Sequence, residues 1–211
     1  MDLSSSTCGY AALTIDTVSK EIKFVSVNYI KPVKDGTIIE RLADTRDKIK
    51  SIIEEIKPHF ISIEDILMYL PGKSSANTII TLATFNRAIS LVAFDYLGHT
   101  PNMYGVIAIR NALKPAEVFP MKEDMPKLVA WHLNIDFPYE YNKKGKIKDE
   151  SMDKSDAISA ALMHAFAIGG KTNPKGPAPK MTPKPPRVKK LRKTKKKKVK
   201  KNEYKRSIQK A

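Results

Sequence analysis

The sequence predicts an α/β domain: a mixed sheet, with antiparallel hairpin strands and parallel strands, flanked by helices and followed by a disordered basic tail. Three observations carry this expectation. Strand-like runs crowd the first thirty residues; helical and strand-like runs alternate after them; and the excess positive charge lies in a Pro- and Lys-rich C-terminal stretch. Adjacent strands followed by helix–strand alternation give a sheet that is antiparallel on one side and parallel on the other.

The elements follow in order. Residues 1–4 form a short first strand. "GYAALTID" (9–16) and "KEIKFVSVNYI" (20–30) are β-rich runs of strand length and read as a hairpin. In "TIIERLADTRDKIKSIIEEIKP", Ile38, Ile39, Leu42, Ile49, Ile52, Ile53 and Ile56 recur at helical spacing, and Pro58 stops the helix. "HFISIEDI" (59–66) is a short apolar run ending in two acids, which predicts a buried strand. "KSSANTIITLATFNRAISLVAFDYLG" (73–98) is a long helix with Ser and Asn near its start and Gly98 at its end. "NMYGVIAI" (102–109) predicts another strand. "KEDMPKLVAWHLN" (122–134) and "DKSDAISAALMHAFAIGG" (153–170) predict the last two helices.

The charge divides the chain into a domain over 1–169 and a tail over 170–211. The net charge is +16, yet the tail holds 18 of the 38 Lys and Arg and one of the 22 acids, so the body is nearly neutral. "KTNPKGPAPKMTPKPPRVKK" holds six of the fourteen prolines and reads as an extended linker. "LRKTKKKKVKKNEYKR" cannot bury enough apolar surface to fold alone, and its natural partner is a polyanion. Lys195, Lys196, Lys197 and Lys198 are candidate phosphate contacts. No unbroken run of 18 apolar residues occurs, so no membrane partner is expected. The one cysteine, Cys8, allows no internal disulfide, which fits an intracellular, reducing compartment. A compact body with its own tail suits a phage or viral repertoire, which would place it in host cytoplasm.

Four acids stand at the ends of expected strands or helices, where burial is costly without a reason. They are Asp2, Glu64 with Asp65 behind it, Asp153 and Asp156. The i, i+3 pair Asp153 and Asp156 shares one helix face. If the strands of Asp2 and Glu64 are neighbours, a helix packed on that edge brings all four together. Converging carboxylates repel, and divalent cations relieve the repulsion; oxygen-only ligands favour Mg²⁺ or Mn²⁺. Two such ions about 3.5–4 Å apart activate a water and stabilise the leaving oxygen of a phosphodiester. Each acid also has an ordinary reading: Asp2 as a solvated terminal residue, Glu64 and Asp65 as a strand end, Asp153 as an N-cap with Asp156 in the first turn.

"DLSSSTCGYAAL", "FISIED" and "DKSDAISAALMHA", in that order, resemble the RuvC-type Holliday junction resolvases of the ribonuclease H-like superfamily, over about residues 1–168. The family pattern is an Asp in the first strand with a small-residue turn and Gly-Tyr after it. A Glu then ends the fourth strand, and Asp-x-x-Asp opens the last helix. Asp2, Glu64, Asp153 and Asp156 hold these positions as implied catalytic residues and metal ligands. The first long helix offers Glu40, Glu54 and Glu55, but the Glu after the apolar strand is Glu64, a context that favours the resolvase branch. The resemblance implies a ribonuclease H-like fold and a homodimer that hydrolyses DNA at four-way junctions with Mg²⁺ or Mn²⁺, two ions per site.

Further candidates concern nucleic acid. The family's aromatic wedge position falls on Leu67 here, while Tyr69 two residues on is a candidate to stack on an unpaired base. Lys73 precedes the long helix, whose start is a phosphate site or an ordinary cap. Arg110 and Lys114 are candidate backbone contacts or a solvated face. The long helix is apolar around much of its circumference, which suits either burial within the chain or a two-fold partner. Two other functions stay open: another nuclease of the superfamily acting on RNA–DNA hybrids or branched DNA, and a non-catalytic basic nucleic-acid-binding protein.

Overall fold

The computed structural model describes residues 1–4, 6–66, 75–115, 118–143, 145 and 147–182. Its first three strands, β1 (Asp2–Leu3), β2 (Cys8–Ile15) and β3 (Ile22–Ile30), pair antiparallel in that order. Asp16 shapes the β2–β3 hairpin loop: its Oδ1 accepts from the backbone of Val18 at 2.9 Å and Ser19 at 2.7 Å. Helix α1 (Ile38–Ile56) starts in a capping box, with Thr37 accepting from Glu40 N and Glu40 accepting from Thr37 N. Strands β4 (Ser62–Asp65) and β5 (Asn102–Gly105) are parallel neighbours joined through helix α2 (Ala76–Leu97), which Ser75 caps. Two backbone bonds join β4 to β1, from Met1 N to Ser62 O at 2.7 Å and from Glu64 N to Met1 O at 2.9 Å. That is a parallel pattern, so the strands run β3-β2-β1-β4-β5. This is the mixed sheet that the sequence predicts.

Helices cover both faces. On one, α1 and α2 pack Ile49, Ile53, Ile89 and Ala93 against Leu3, Cys8, Ile61 and Ile63. On the other lie α3 (Val106–Leu113), α4 (Met125–Leu133) and α5 (Asp149–Ala167), with Ile109, Leu113, Leu128, Ile158 and Leu162 in the core.

Three boundaries differ from expectation. The strand expected over 102–109 ends at Gly105, and Val106 begins α3; an Ile/Val run fits either state, and burial of Ile109 and Leu113 at i, i+4 decides for helix. The helix expected over 122–134 is a 3₁₀ turn (Lys122–Asp124) followed by α4, with Pro126 in the first turn of α4. The last helix starts at Asp149, after the N-cap Lys148. Asp153 and Asp156 therefore lie beyond the first turn, and their reading as cap and first-turn residues fails.

Among the described residues, α2 is long and apolar enough to cross a membrane by length and composition, although polar residues interrupt its apolar run. One side of it is built into the domain through Phe85, Asn86, Ile89 and Ala93. After Gly169, where the sequence draws its domain boundary, residues 171–182 run back over the body. Lys171 bonds to Lys20 and Ile22, and Thr182 reaches Asp124.

Candidate active site

The period of a strand sorts the first candidates. Leu3 and Ile63 point toward α1 and α2, so Asp2, Ser62 and Glu64 face α5. Ser62 Oγ donates to Ala160 O on α5 at 3.0 Å. Asp65 turns the other way and pairs with Arg87 of α2 at 3.2 Å. Asn86 Nδ2 donates to Glu64 O at 2.9 Å and pins the end of β4 from behind.

Gly9 brings α5 to this edge. It is the cross-strand partner of Asp2, and a Cβ on it would lie 2.4 Å from Asp153 O. Only a residue without a side chain lets the α5 backbone come so close. Small residues recur among the buried positions of α5, at Ser151, Ser155, Ala157, Ser159 and Ala160, beside the larger Ile158 and Leu162. Asp2 thus lies opposite Gly9 with Asp153 above it, Glu64 lies one strand over, and Asp156 follows on the same helix face.

The electrostatics record this meeting. Burial, then Glu64, Asp156 and Asp153, push the Asp2 carboxyl well above the usual range. Burial and Asp156 raise Glu64 to about 7. Burial, opposed by Lys122 and reinforced by Asp156, takes Asp153 to about 6. Asp156 is raised by burial against the pull of Lys122 and Arg110. All four acids therefore pay for charge in the same place. Among the described residues, no three Asp, Glu, His or Cys side chains are drawn into a closed metal-ligand set. The compensating cation is Lys122, whose Nζ lies 3.2 Å from Asp156 Oδ2. Burial opposes its charge, but Asp156, Asp2 and Asp153 hold its pKa above the ordinary value.

Sequence reasoning missed Lys122. The one signal for it was a lysine at the start of the helix expected over 122–134, which is common on solvated faces. Arg110, on α3, acts on both Glu64 and Asp156. Lys114 stands at the exposed C-cap of α3, outside that group. Tyr69 and Lys73, with Leu67, lie outside the described residues, as do Lys195, Lys196, Lys197 and Lys198. A cleft of about 440 Å³ opens beside Lys122 and Asp153, walled by Ser4, Ser6, Thr7 and Lys31. Cys8 beneath it is fully buried, and burial pushes its thiol up to about 11, so it offers no nucleophile. His132 and His164 serve the core: His132 bonds Leu113 O and Thr172, and His164 bonds Tyr104.

No curated protein matches the sequence. The fold is similar to that of Thermus thermophilus RuvC, with a TM-score of 0.58 at 16% identity, covering 82% of this chain and 96% of that one. T. thermophilus RuvC in complex with a Holliday junction substrate matches with the same TM-score and identity, over 81% of this chain and 94% of that one. The yeast mitochondrial Holliday junction resolvase Ydc2 matches with a TM-score of 0.51 at 15% identity, over 79% and 77%. At such identities the likeness is one of fold. The sequence itself matches the family model of the crossover junction endodeoxyribonuclease RuvC over residues 1–164, most of the sheet and helices described above, and the chain belongs to that family.

Proposed function

We propose that the chain cuts DNA strands at four-way junctions, using divalent cations held by Asp2, Glu64, Asp153 and Asp156. The observation that carries this is the gathering of four partly buried carboxylates where β1 and β4 meet α5, each with its pKa raised. The donor set is all oxygen, without His or Cys, and fits hard cations such as Mg²⁺ or Mn²⁺. Two ions bound there would supply a Lewis acid for the scissile phosphate and a means of activating water.

The chain's own residues do the rest. Asp2 and Glu64, on adjacent strands, form the rigid side of the site, and Asp153 and Asp156 close it from α5. Lys122 and Arg110 add positive charge where a phosphate must approach four carboxylates. The cleft beside Lys122 and Asp153 offers the hydroxyls of Ser4, Ser6 and Thr7 to a DNA backbone, while its Lys31 is paired with Glu150 and Asp149 lines the same wall. Tyr69 and Lys73 are proposed for the junction's unpaired bases and phosphates. The basic tail, with Lys195, Lys196, Lys197 and Lys198, adds affinity without sequence information.

A four-way junction has two equivalent cut sites, which suits a two-fold dimer. Helix α2 supports this: Ile80, Leu91 and Phe94 are 63%, 60% and 44% exposed. They share one stripe of the helix, away from the buried Phe85, Ile89 and Ala93, and the described residues leave that stripe open.

Cleavage of a synthetic four-way junction in Mg²⁺ tests the reading. Asp2→Asn and Asp153→Asn are each expected to lower cleavage by about 10³-fold or more while junction binding persists, since the lost group serves charge stabilisation. Cleavage retained in both variants defeats the assignment. A duplex and an RNA–DNA hybrid in the same assay separate junction resolution from other nuclease activities.

A further inference from the structure

We propose that residues 171–182 form a strap whose clasp on Asp124 fixes the turn carrying Lys122, making Asp124 and Thr182 positioning residues for the reaction. This rests on the junction-cutting reading above. The strap lies beyond residue 164, where the family match ends.

The strap is hydrogen-bonded from Lys171 to Gly176 and again at Thr182. Lys171 N donates to Lys20 O at 2.7 Å, and Ile22 N donates to Lys171 O at 2.9 Å. Thr172 Oγ1 meets His132 Nδ1 at 3.1 Å. Asn134 at the end of α4 holds the next stretch twice, donating to Asn173 O at 2.9 Å and accepting from Lys175 N at 2.6 Å. Trp131 Nε1 reaches Gly176 O at 3.3 Å. Met181 packs against the core. The path runs from the start of β3, past the C-terminal end of α4, to the N-terminal end of that helix.

There it meets Asp124, a fully buried carboxylate. Oδ1 accepts from Thr182 N at 2.9 Å and from Thr182 Oγ1 at 2.6 Å. Oδ2 accepts from Met121 N at 2.9 Å. A buried carboxylate is tolerable only when its oxygens are satisfied, and the strap supplies two of these three donors. The same carboxylate closes the 3₁₀ turn Lys122–Asp124. Lys122 leaves the body from that single turn and reaches Asp156 at the acid cluster. One side chain therefore ties the strap to the turn, and the turn aims the ammonium.

The test uses the full chain with Thr182→Val, which keeps the N–H and the shape but removes the hydroxyl, and Thr182→Ser, which restores it. Each is made with Lys122 intact and with Lys122→Ala. On a four-way junction in Mg²⁺, Thr182→Val is expected to lower kcat about 10-fold with junction Kd within about twofold, Thr182→Ser to recover it, and Thr182→Val to be silent beside Lys122→Ala. Amide hydrogen exchange supplies a readout independent of cleavage: Met121 should exchange faster in Thr182→Val while β2 and α5 stay protected. An unchanged kcat, an equal loss in both Lys122 backgrounds, or a uniform rise in exchange overturns the proposal. A wild-type chain that cuts no junction defeats the resolvase reading instead, and the exchange comparison then decides the coupling by itself.

Discussion

Gly9 is the smallest residue at the site and the one on which its geometry turns. Its missing side chain lets Asp153 O lie where a Cβ would be 2.4 Å away, and its cross-strand partner is Asp2. Gly9→Ala must push backbone against backbone, so it should cost about 1–3 kcal/mol as overpacking does. It should also cost more activity than stability, because the shift separates Asp2 from Asp153; thermal unfolding alongside junction cleavage checks this, and a variant equal to wild type in both refutes it. The acids carry a second prediction. Glu64 is raised to about 7 and Asp153 to about 6, so the folded chain holds protons that the unfolded chain releases from about pH 4 upward. Their contribution to stability is therefore full below about pH 4 and falls as pH rises from there until it is lost by about 7. The Met1 amine, pushed down to about 6 by burial, acts in the opposite sense as pH rises through 6 to 8. The difference in Tm with and without Mg²⁺ cancels the amine. It should grow from pH 5 to about 7.5, since cations bind the deprotonated carboxylates. A Mg²⁺ shift that is flat with pH counts against a shared site.

At the scale of elements, what the sequence made legible was what short-range pattern controls. Helix α1 announced itself through Ile spacing and Pro58, and the β2–β3 hairpin through two neighbouring β-rich runs; the Thr37–Glu40 box that starts α1 is a detail the structure adds. The acids were legible because carboxylates at strand ends are unusual. What stayed hidden depends on tertiary partners. Val106–Leu113 is helical because Ile109 and Leu113 find a core, which no local pattern states. The start of α5 lay a turn earlier because Asp149 and Glu150 suit a first turn as well as Asp153 does. Lys122 and the strap were hidden because charge and proline content describe solvated chain and anchored chain alike. Helix α2 shows both sides of this limit. Its all-round apolar character was plain, but only the packing separates Phe85, Ile89 and Ala93, which are buried, from Ile80, Leu91 and Phe94, which are not. If the second stripe is a two-fold contact, Leu91→Lys with Phe94→Lys should turn a dimer into a monomer by sedimentation. The Tm of the fold should barely change, because neither side chain contributes to the core. A wild-type chain that is monomeric at micromolar concentration excludes this contact.

The whole molecule divides by charge rather than by secondary structure. The body through residue 169 is nearly neutral; near the acids or the cleft lie Lys122, Arg110 and Lys31, the last paired with Glu150. Residues 183–211 hold 15 Lys and Arg against one acid. Each phosphate that such residues neutralise adds about 0.9 to the slope of log affinity against log salt on duplex DNA. Ending the chain after Thr182 keeps every strap bond described above and removes that charge. The shortened chain should therefore unfold at the same temperature as the full one. It should bind a junction with a salt slope smaller by several units, the number of phosphates released, and lose affinity chiefly at low salt. Its kcat at saturating junction should stay within about twofold, because the clasp and Lys122 remain in place. Preference for a four-way junction over duplex should rise, since the contacts removed are those that all DNA shares. Filter binding across a salt series, with matched duplex and junction, measures both quantities together. An unchanged slope would assign the binding to the body, and a lost preference would mean that the tail reads the branch point.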